Sequence, residues 1–247
     1  MRWIYLSPHF DDSVLSCGGL IWEQVQAGKQ VEVWTVCAGD PPVGADISPF
    51  AQQLHERWAA GPQAVTARRQ EDEAAVRRLG AVSRHWDLPD CIYRRLPDGS
   101  WLVNGEDDLW QPLPALAEDD LRRLVEWLLA GLRPGDNLVS PLTLGNHVDH
   151  QLVRAAAERA AQPAGAQLHY YPDYPYSTGV SGVSNEKAGE ALQTECFTVS
   201  RGGLGAWQQA IACYTSQIST FWGSLEEMYA ALETYWQSGG GTCLLKP

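Results

Sequence analysis

The sequence predicts an α/β fold, a Rossmann-like three-layer sandwich with a mostly parallel sheet and a C-terminal elaboration. Short apolar or β-branched segments alternate with amphipathic helical segments. Polar clusters follow two of the predicted strands, and α/β proteins bind ligands at that edge of the sheet. With 247 residues and 45% hydrophobic content, the chain fits one domain over 1–247, with a core over about 1–165 and the elaboration over about 166–247.

The first forty residues predict a strand–helix–strand unit. Trp3–Leu6 is short, apolar and aromatic, which is typical of a buried strand. Asp12–Gln26 carries apolar residues at helical spacing and ends before Gly28. Gln30–Cys37 alternates and is rich in β-branched residues, so it predicts the next strand. Such a unit is typical of a right-handed parallel crossover.

The next segment predicts a long loop before the pattern resumes. Residues 40–63 contain several prolines and glycines, and irregular loops of that length are often functional lids. Ala64–Leu79 predicts a charged amphipathic helix, and Ser83–Leu88 predicts a third strand. The pair Asp98-Gly99 predicts a tight turn or hairpin.

The second half of the chain continues the alternation of helices and strands. Ala117–Leu132 predicts a helix, and Asn137–Leu142 predicts the strand that leads into the second polar cluster. A helix over Gln151–Ala161, a strand over Gln167–Tyr171 and a helix over about Leu204–Gln217 follow.

The charge balance excludes several classes of partner. The chain has 18 basic and 30 acidic residues, a formal net charge of −12, which disfavours nucleic acid and anionic membrane surfaces. Its paired arginines, including Arg94-Arg95, are short and are typical of solvated faces or ion pairs. The sequence shows no charged leader and no run of about 18 apolar residues. We therefore expect a cytoplasmic protein without a membrane partner.

The cysteines predict no disulfide framework. The six thiols are spread through a chain that is large enough to fold without covalent cross-links, and no two of them form a C-x-x-C pair. We expect reduced and mostly buried thiols at Cys17, Cys37, Cys91, Cys196, Cys213 and Cys243.

Two clusters of histidine and aspartate follow predicted strands. His9-Phe10-Asp11-Asp12 comes after the first strand, and His147-Val148-Asp149-His150 comes after the strand over Asn137–Leu142. Imidazole nitrogens and carboxylate oxygens are ligands that zinc accepts, and catalytic zinc sites usually use three protein ligands. The sequence therefore predicts metal-assisted hydrolysis at one site formed by both clusters.

The spacing within the clusters leaves the roles of the residues open. Three of the four residues His9, Asp12, His147 and His150 would bind the metal. Asp11 is the natural candidate for taking a proton from water. An imidazolium opposite could stabilise an oxyanion and protonate the leaving amine, and a carboxylate could hold that ring in place.

The remaining histidines divide by their predicted environment. His55 falls in the long loop over 40–63, where a ligand-binding role is open to it. His85 and His169 fall inside predicted strands, so we expect them to be structural.

Both clusters resemble signature motifs of the LmbE-like or PIG-L-type de-N-acetylases. The first match is Ser-Pro-His-Phe-Asp-Asp-Ser-Val-Leu-Ser-Cys-Gly-Gly from Ser7, and the second is Asn-His-Val-Asp-His from Asn146. This family consists of zinc-dependent enzymes that remove acetyl groups from N-acetylglucosamine-containing small molecules. Further segments are similar to family elements: Arg68–Gly80, Tyr171–Tyr176 and Tyr214–Gln217.

The resemblance implies a role for each member of the clusters. Asp11 would be the general base, and His147 would act at the carbonyl oxygen with Asp149 orienting it. The metal would be Zn²⁺, with Fe²⁺ or another divalent metal as alternatives. Three residues would bind it: His9, Asp12 and His150.

The resemblance also implies three substrate contacts. Arg68 is similar to the substrate-binding arginine of family members, although an ion pair with Glu71 or Asp72 is the alternative. Asp90 aligns more loosely with an acidic residue that binds sugar hydroxyls. The loops around His55 and Tyr171–Tyr176 are expected to contact the rest of the substrate.

The chain departs from the family pattern in two places. Phe10 stands where many members have proline, and Ser13 stands where they have glutamate. Some members carry an oxyanion-stabilising tyrosine just before the second motif, where this chain has Leu144-Gly145-Asn146. Asn146 or a tyrosine from another loop would have to replace it.

These features predict a metal-dependent hydrolase that removes the N-acetyl group from an N-acetylglucosamine-containing small molecule or related conjugate. Two alternatives stay open. One is another metal-dependent hydrolase, such as a phosphoesterase, which would require more acidic ligands for a two-metal site. The other is a catalytically inactive homologue that binds metal or sugar. The sequence leaves the oligomeric state open.

Overall fold

The computed structural model describes the chain from Met1 to Pro247 except residues 42, 43, 45, 59–62, 115, 116 and 179–191. The described residues form one seven-stranded sheet in the order β3-β2-β1-β4-β5-β7-β6. The strands are β1 Arg2–Ser7, β2 Gln30–Thr35, β3 Val82–His85, β4 Asn137–Pro141, β5 Gln167–Tyr171, β6 Gln193–Cys196 and β7 Cys243–Lys246.

Helices cover both faces of this sheet. They are α1 Asp12–Gln26, α2 Pro49–Arg57, α3 Ala64–Arg78, α4 Glu118–Gly131, α5 Val148–Ala164, α6 Arg201–Ile211, α7 Thr215–Phe221 and α8 Leu225–Gln237, with 3₁₀ turns at Cys91–Tyr93 and Glu106–Trp110. Side chains of β1 alternate between the two faces. Trp3 and Tyr5 pack with α1, α3, α6 and α8, whereas Ile4 and Leu6 pack with α4 and α5. This alternation confirms the predicted three-layer sandwich.

The five strands β1 to β5 are parallel, and the sequence predicted each of them. β1 pairs with β2 and β4, β2 with β3, and β4 with β5. Every element predicted between Trp3 and Tyr171 is present, with ends that differ by at most three residues. The strand order reverses between β1 and β4, which is where open α/β sheets form a ligand-binding crevice.

Several elements were not predicted from the sequence. Helix α2 lies inside the predicted loop over 40–63, so His55 is helical. The predicted helix over Leu204–Gln217 is two helices, α6 and α7, which are separated at Ala212–Tyr214. Helix α8 and the antiparallel strands β6 and β7 complete the C-terminal elaboration. Strands β6 and β7 have only four residues each, so what they pack against decides their structure.

A disulfide corrects the prediction of six reduced cysteines. Cys196 and Cys243 are bonded, because β6 and β7 pair in a register that places these two residues opposite each other. The sequence separation of 47 residues hides this proximity. The other four cysteines are free thiols.

No helix in the described part of the chain has both the length and the apolar character that a membrane crossing requires.

Candidate metal centre and active site

The two histidine–aspartate clusters meet at the carboxyl ends of β1 and β4. Asp11 is the N-cap of α1, and Asp12 is its first residue. His147 is the N-cap of α5, and His150 lies in its first turn. Because β1 and β4 are hydrogen-bonded neighbours, the turns that follow them face each other. The structure thus unites the two clusters in one site.

His9, Asp12 and His150 place donor atoms at the spacing of metal ligands. Asp12 Oδ2 lies 3.2 Å from His9 Nδ1, and Asp12 Oδ1 lies 3.3 Å from His150 Nε2. Two atoms that bind one zinc ion tetrahedrally, with bonds of about 2.0–2.1 Å, are about 3.3 Å apart. His9, His147 and His150 also form a group with ring nitrogens within 4.8 Å of one another. The donor set therefore fits zinc.

The electrostatics of this group favour positive charge between its members. Burial opposes the ionisation of Asp12, but His150 and His9 outweigh burial and hold its pKa well below the usual range. Burial also opposes a charge on His150, but Asp12 and Asp173 raise the pKa of its imidazole to about 9. A divalent cation would supply the same positive charge, in exchange for a proton.

Thiols are poorer candidates for ligands at this site. The Sγ of Cys37 lies within 4.8 Å of a ring nitrogen of His9 and a carboxylate oxygen of Asp149. The Sγ of Cys91 lies within the same distance of His147 and Asp149. Burial raises the pKa of the Cys37 thiol and of the Cys91 thiol far above their usual range. Because a cysteine binds metal as its thiolate, these protonated sulfurs fit the ion less well than the imidazole and carboxylate donors.

A carboxylate contacts the ring nitrogen of His150 that faces away from Asp12. His150 Nδ1 lies 2.7 Å from Asp173 Oδ1, and the other oxygen of Asp173 accepts the backbone N–H of Leu144. A carboxylate on the second ring nitrogen fixes the tautomer and orientation of a metal-binding histidine. Asp173 belongs to the segment Tyr171–Tyr176, for which the sequence predicts substrate contacts but no role for this aspartate. The spacing of the clusters could not identify it, since it arrives from β5.

Asp11 lies beside the candidate ligands as a buried carboxyl group. Asp11 is 5% exposed, and its Oδ1 lies 3.6 Å from Arg68 Nη2. Burial raises the pKa of Asp11 to about 6, although the charge of Arg68 acts in the opposite direction. A carboxyl group with such a pKa can accept a proton and return it near neutral pH.

His147 is held as a neutral hydrogen-bond donor. Its Nδ1 accepts the backbone N–H of Asp149 at 3.2 Å, so the neutral ring carries its proton on Nε2. Burial lowers the pKa of His147 well below the usual range, and the charges of His9 and His150 lower it further. The ring can therefore donate from Nε2 as a neutral imidazole, and not as the imidazolium that the sequence suggests.

Asp149 hydrogen-bonds to His147 through its backbone and not, as expected, through its carboxylate. Its N–H donates to His147 Nδ1, because Asp149 follows the N-cap at the start of α5, whereas its side chain bonds to other partners. Its carboxylate lies 3.2 Å from His9 Nε2, accepts the backbone N–H of Cys91 at 3.0 Å and pairs with Arg94.

Arg68 faces the centre and does not form the alternative ion pair. Its acidic partner among the described residues is Asp11, not Glu71 or Asp72. Its guanidinium lies over the ring of Trp58, 4.6 Å from the centroid. The Arg68 Nε is buried and has no hydrogen-bond partner in the described part of the chain. This arginine can therefore donate to a ligand.

Asp90 lies next to His9 at the edge of the centre. Its Oδ2 lies 3.7 Å from His9 Nε2, and its Oδ1 caps the 3₁₀ turn by accepting the N–H of Ile92. Burial opposes its ionisation, but His9 and Arg68 prevail and lower the pKa of Asp90. The residue is therefore a charged acceptor next to the centre.

His55 lies one layer further out. Its Nε2 is 2.6 Å from the hydroxyl of Tyr93, and its ring is 6.0 Å from that of Trp58, which covers Arg68. His55 therefore reaches the centre only through other side chains. The other two histidines fit a structural role: His85 pairs with Asp72, and buried His169 bonds with Asn137.

Tyr176 occupies the space beside the loop that precedes the second cluster. A Cβ on Gly145 would lie 2.7 Å from the Tyr176 ring, so the glycine makes room for it. The ring also packs edge-on against Trp110, which contacts the ring of His147. Burial raises the pKa of the Tyr176 phenol, and the nearby charge of Asp12 raises it further. Tyr176 comes from another loop, so it is a candidate to replace the oxyanion-stabilising tyrosine that some family members carry before the second motif.

Asn146, the other alternative, commits one of the two N–H donors of its amide to a loop contact. Its Nδ2 donates to the carbonyl oxygen of Trp110 at 3.2 Å. The residue adopts a left-handed conformation with a φ of 60°. Its side chain therefore secures the Trp110 loop.

Comparisons with known proteins identify the family of this chain. The family model described as PIG-L, GlcNAc-PI de-N-acetylase, matches residues 4–161. A 2'-N-acetylparomamine deacetylase of Streptomyces fradiae is 29% identical over 196 residues, which cover 75% of this chain and 61% of that protein. The corresponding enzyme of Niallia circulans is 31% identical over 186 residues, which cover 70% and 66%. The chain thus spans less than two thirds of the length of these curated relatives.

A solved structure extends the similarity to nearly the whole chain. The zinc-inhibited form of teicoplanin deacetylase superposes with a TM-score of 0.80 and 29% sequence identity, covering 99% of this chain and 97% of the other. Because the family model covers well over half of the sequence, including both histidine–aspartate clusters, the chain belongs to the PIG-L family of de-N-acetylases.

Proposed function

We propose that this protein is a metal-dependent hydrolase that removes the N-acetyl group from an N-acetylglucosamine-containing small molecule or related conjugate. One observation carries the proposal: the ligand-type donors of His9, Asp12 and His150 converge beside the buried carboxyl group of Asp11. The arrangement pairs a site for a Lewis acid with a proton acceptor, which is what amide hydrolysis by water requires.

We assign His9, Asp12 and His150 as the metal ligands. Zinc is the proposed metal, and Fe²⁺ or another divalent metal is the alternative. The donor spacing and the charge balance of the three side chains support the assignment. A zinc ion held there would polarise the acetyl carbonyl group and lower the pKa of water.

The chain's own residues would move the proton. Asp11 takes a proton from the attacking water and returns it to the leaving nitrogen as the C–N bond breaks, so that acetate and a free amine form. The pKa of about 6 suits both steps. His147 donates from Nε2 to the carbonyl oxygen, where negative charge develops. Asp149 keeps that tautomer through its backbone N–H.

Tyr176 is our candidate for the second donor to this oxygen. Its ring lies over Gly145 and packs on Trp110, which contacts His147. Its raised pKa keeps the phenol protonated, which a donor requires.

Arg68, Asp90 and His55 are our proposed substrate contacts. Arg68 brings a buried donor without a partner among the described residues, and Asp90 brings an ionised acceptor for sugar hydroxyl groups. His55 would act at the outer wall, together with Tyr93. The curated relatives named as N-acetylparomamine deacetylases support an acetylated amino sugar as the substrate, and the teicoplanin deacetylase supports a glycoconjugate.

Acetate release and metal content together test the proposal. We expect the purified protein to bind about one divalent ion and to release acetate from at least one member of a panel of N-acetylglucosaminyl, N-acetylparomamine-type and acylated glycopeptide compounds. A phosphate ester in the same panel should stay intact. A protein that binds metal but releases no acetate from any compound would be the inactive homologue.

Asp11→Asn tests the role of Asp11 as the base while the proposed metal ligands stay intact. Because the amide cannot take the proton of water, kcat should fall by about 10²–10⁴-fold. Zinc content, measured by atomic emission, should stay at the wild-type level. Unchanged turnover would refute the role of Asp11 as the base.

His150→Ala and His147→Ala form a matched pair that tests the ligand assignment. Both residues lie at the start of α5, but only His150 is assigned as a ligand. We expect His150→Ala to lose most of the bound zinc, whereas His147→Ala should keep it and lose turnover. Zinc loss in His147→Ala would favour the three-histidine group.

The state of Cys196 and Cys243 tests the expected cytoplasmic location. Disulfides persist in oxidising compartments and are rare where thiols are kept reduced. A cytoplasmic protein should therefore show both thiols free when the thiols are alkylated at the moment of lysis. A pair that mass spectrometry finds bonded at that point would indicate an oxidising compartment.

A further inference from the structure

Arg94 is a buried arginine beside the metal centre. Its side chain is only 10% exposed, and it pairs with Asp149 of α5. Its other terminal nitrogen, Nη1, lies 3.4 Å from Asp120 of α4. The neighbouring Arg95 differs, since it lies over the ring of Trp101 and donates to a backbone carbonyl at an exposed turn. Arg94 is therefore no solvated surface charge.

The carboxylate of Asp149 depends on this arginine. Asp149 is fully buried, and its contacts are Arg94, the backbone N–H of Cys91 and the Nε2 of His9. Of these three partners only the guanidinium is permanently charged. A buried carboxylate is stable only where such partners compensate the loss of water.

Asp149 in turn sets the orientation of His9. With Nε2 bonded to Asp149 at 3.2 Å, the opposite nitrogen, Nδ1, points to Asp12 at 3.2 Å. The ring is thus held between a carboxylate of α1 and a carboxylate of α5, while the Oδ2 of Asp90 lies further from Nε2, at 3.7 Å. A carboxylate on the outer nitrogen is what orients a metal-binding imidazole.

We propose that Arg94 is a positioning residue for the metal centre. It fixes the carboxylate of Asp149, and that carboxylate fixes the ring of His9 with Nδ1 towards Asp12. The inference rests on the proposed function, because it takes His9 as a metal ligand. It assigns to Arg94 an effect on the metal that passes through Asp149 and His9.

Zinc affinity tests this role without any substrate. Zinc is titrated against a chromophoric chelator at a temperature far below unfolding, with circular dichroism confirming the fold. Arg94→Met should bind zinc about 10–100-fold more weakly. Arg94→Lys, which keeps the charge but not the planar fork, should recover part of the loss. The control Arg95→Met should change the affinity by less than about threefold.

Two further variants separate positioning from a general effect on packing. Asp120→Asn removes the charge that pairs with Arg94 and, on the helix surface, with Arg123, but it leaves the pair of Arg94 with Asp149 in place. It should therefore lower the unfolding temperature while zinc affinity changes little. The double variant Arg94→Met/Asp149→Asn should bind zinc as weakly as Asp149→Asn alone, because Arg94 acts through Asp149. If Arg94→Met does not fold, Arg94→Gln takes its place.

The proposal is overturned if folded Arg94→Met binds zinc as tightly as Arg95→Met. It is also overturned if the loss of zinc affinity in the double variant equals the product of the losses in Arg94→Met and Asp149→Asn. A wild-type protein that binds no zinc would overturn it as well. Failure of the proposed activity looks different: the wild type and the Arg95 control would bind zinc tightly but release no acetate.

Discussion

At the residue scale, the neighbours of Phe10 explain why the first cluster tolerates an aromatic side chain in place of proline. Phe10 is buried, and its ring lies between the guanidinium of Arg68 and the ring of His85. Arg68 is thus held between two aromatic rings, those of Phe10 and Trp58. Such contacts restrict a flexible side chain and align it with Asp11.

Tyr176→Phe tests the second oxyanion donor at the same scale. The substitution removes the hydroxyl group and keeps the ring that packs on Trp110 and Gly145. We expect kcat to fall by about 10²-fold or more, with little change in KM or zinc content, because the donor acts where charge develops. The control Tyr229→Phe changes a tyrosine of α8, which packs against the core, and should leave kcat unchanged. Equal kcat values for both variants would contradict the assignment.

His169 makes the folded state sensitive to acid. Its Nε2 is 3.1 Å from Asn137 Oδ1, whereas Nδ1 is buried without a partner among the described residues. Burial lowers the pKa of this histidine from 6.5 to about 4. Between these pH values the unfolded chain carries a proton on this residue and the folded chain does not, so stability falls as the pH falls.

The size of this effect can be measured. Between pH 6.5 and pH 4, His169 should lower the free energy of unfolding by up to about 3 kcal/mol. Urea denaturation across this range should show a shallower pH dependence for His169→Gln than for the wild type. Identical slopes for the two proteins would contradict the prediction.

At the element scale, the start of α5 decides how the second cluster works. The sequence pattern predicts that this helix begins at Gln151, three residues later than it does. Histidine is not a preferred N-cap residue. In the structure His147 is the N-cap, and its ring accepts the N–H of Asp149. One hydrogen bond thus caps the helix and sets the tautomer of a candidate catalytic residue.

The pairing of β6 with β7 predicts a stability effect. The Cys196–Cys243 bond closes a loop with a sequence separation of 47 residues. Restriction of the unfolded chain by such a loop is worth at most about 4 kcal/mol. We expect the double substitution Cys196→Ser/Cys243→Ser to lower the free energy of unfolding in urea by about 2–4 kcal/mol.

Zinc affinity should not change in that double variant, because β6 and β7 lie at the edge of the sheet, beyond β5 from the centre. Cys213→Ser, which alters a free thiol, serves as the control and should change stability by less than about 1 kcal/mol. A double variant as stable as this control would contradict the predicted contribution of the bond.

At the scale of the whole molecule, the C-terminal elaboration packs onto the helix that carries Asp12. Trp207 of α6 is fully buried and donates from its indole nitrogen to the carbonyl oxygen of Val14 at 2.6 Å. A Cβ on Gly18 would collide with its ring, so the glycine permits the close approach of α1 and α6. The contact ties the last third of the chain to the active-site helix.

This packing predicts that residues 1–247 unfold as a single unit. Calorimetry should show one transition for the wild type. Trp207→Ala should shift that transition to lower temperature without splitting it, at a cost of about 3–5 kcal/mol. Trp101→Ala, at a surface turn beside Arg95, should cost about 1 kcal/mol or less. Two separate transitions would show that the elaboration is a second domain.

The sequence by itself determined the fold class, the parallel strands β1 to β5 and the chemistry of the two clusters. Hydrophobic periodicity is a local signal that can be read from neighbouring residues. The buried strands of a parallel sheet show it as runs of apolar residues. His9, Asp11, Asp12, His147 and His150 could be found because they lie within four-residue clusters after strands. The resemblance to the family rests on the same local patterns.

Only the tertiary structure decided which distant residues complete the site. From other segments, Asp173 contacts His150, Arg94 contacts Asp149, and Tyr176 packs on Trp110 beside His147. The disulfide joins β6 and β7 across 47 residues. The direction of the Asp149 carboxylate, towards Arg94 and not His147, was decided in the same way. No periodicity records such contacts, because they depend on strand order and helix packing, which bring residues that are far apart in the chain into contact.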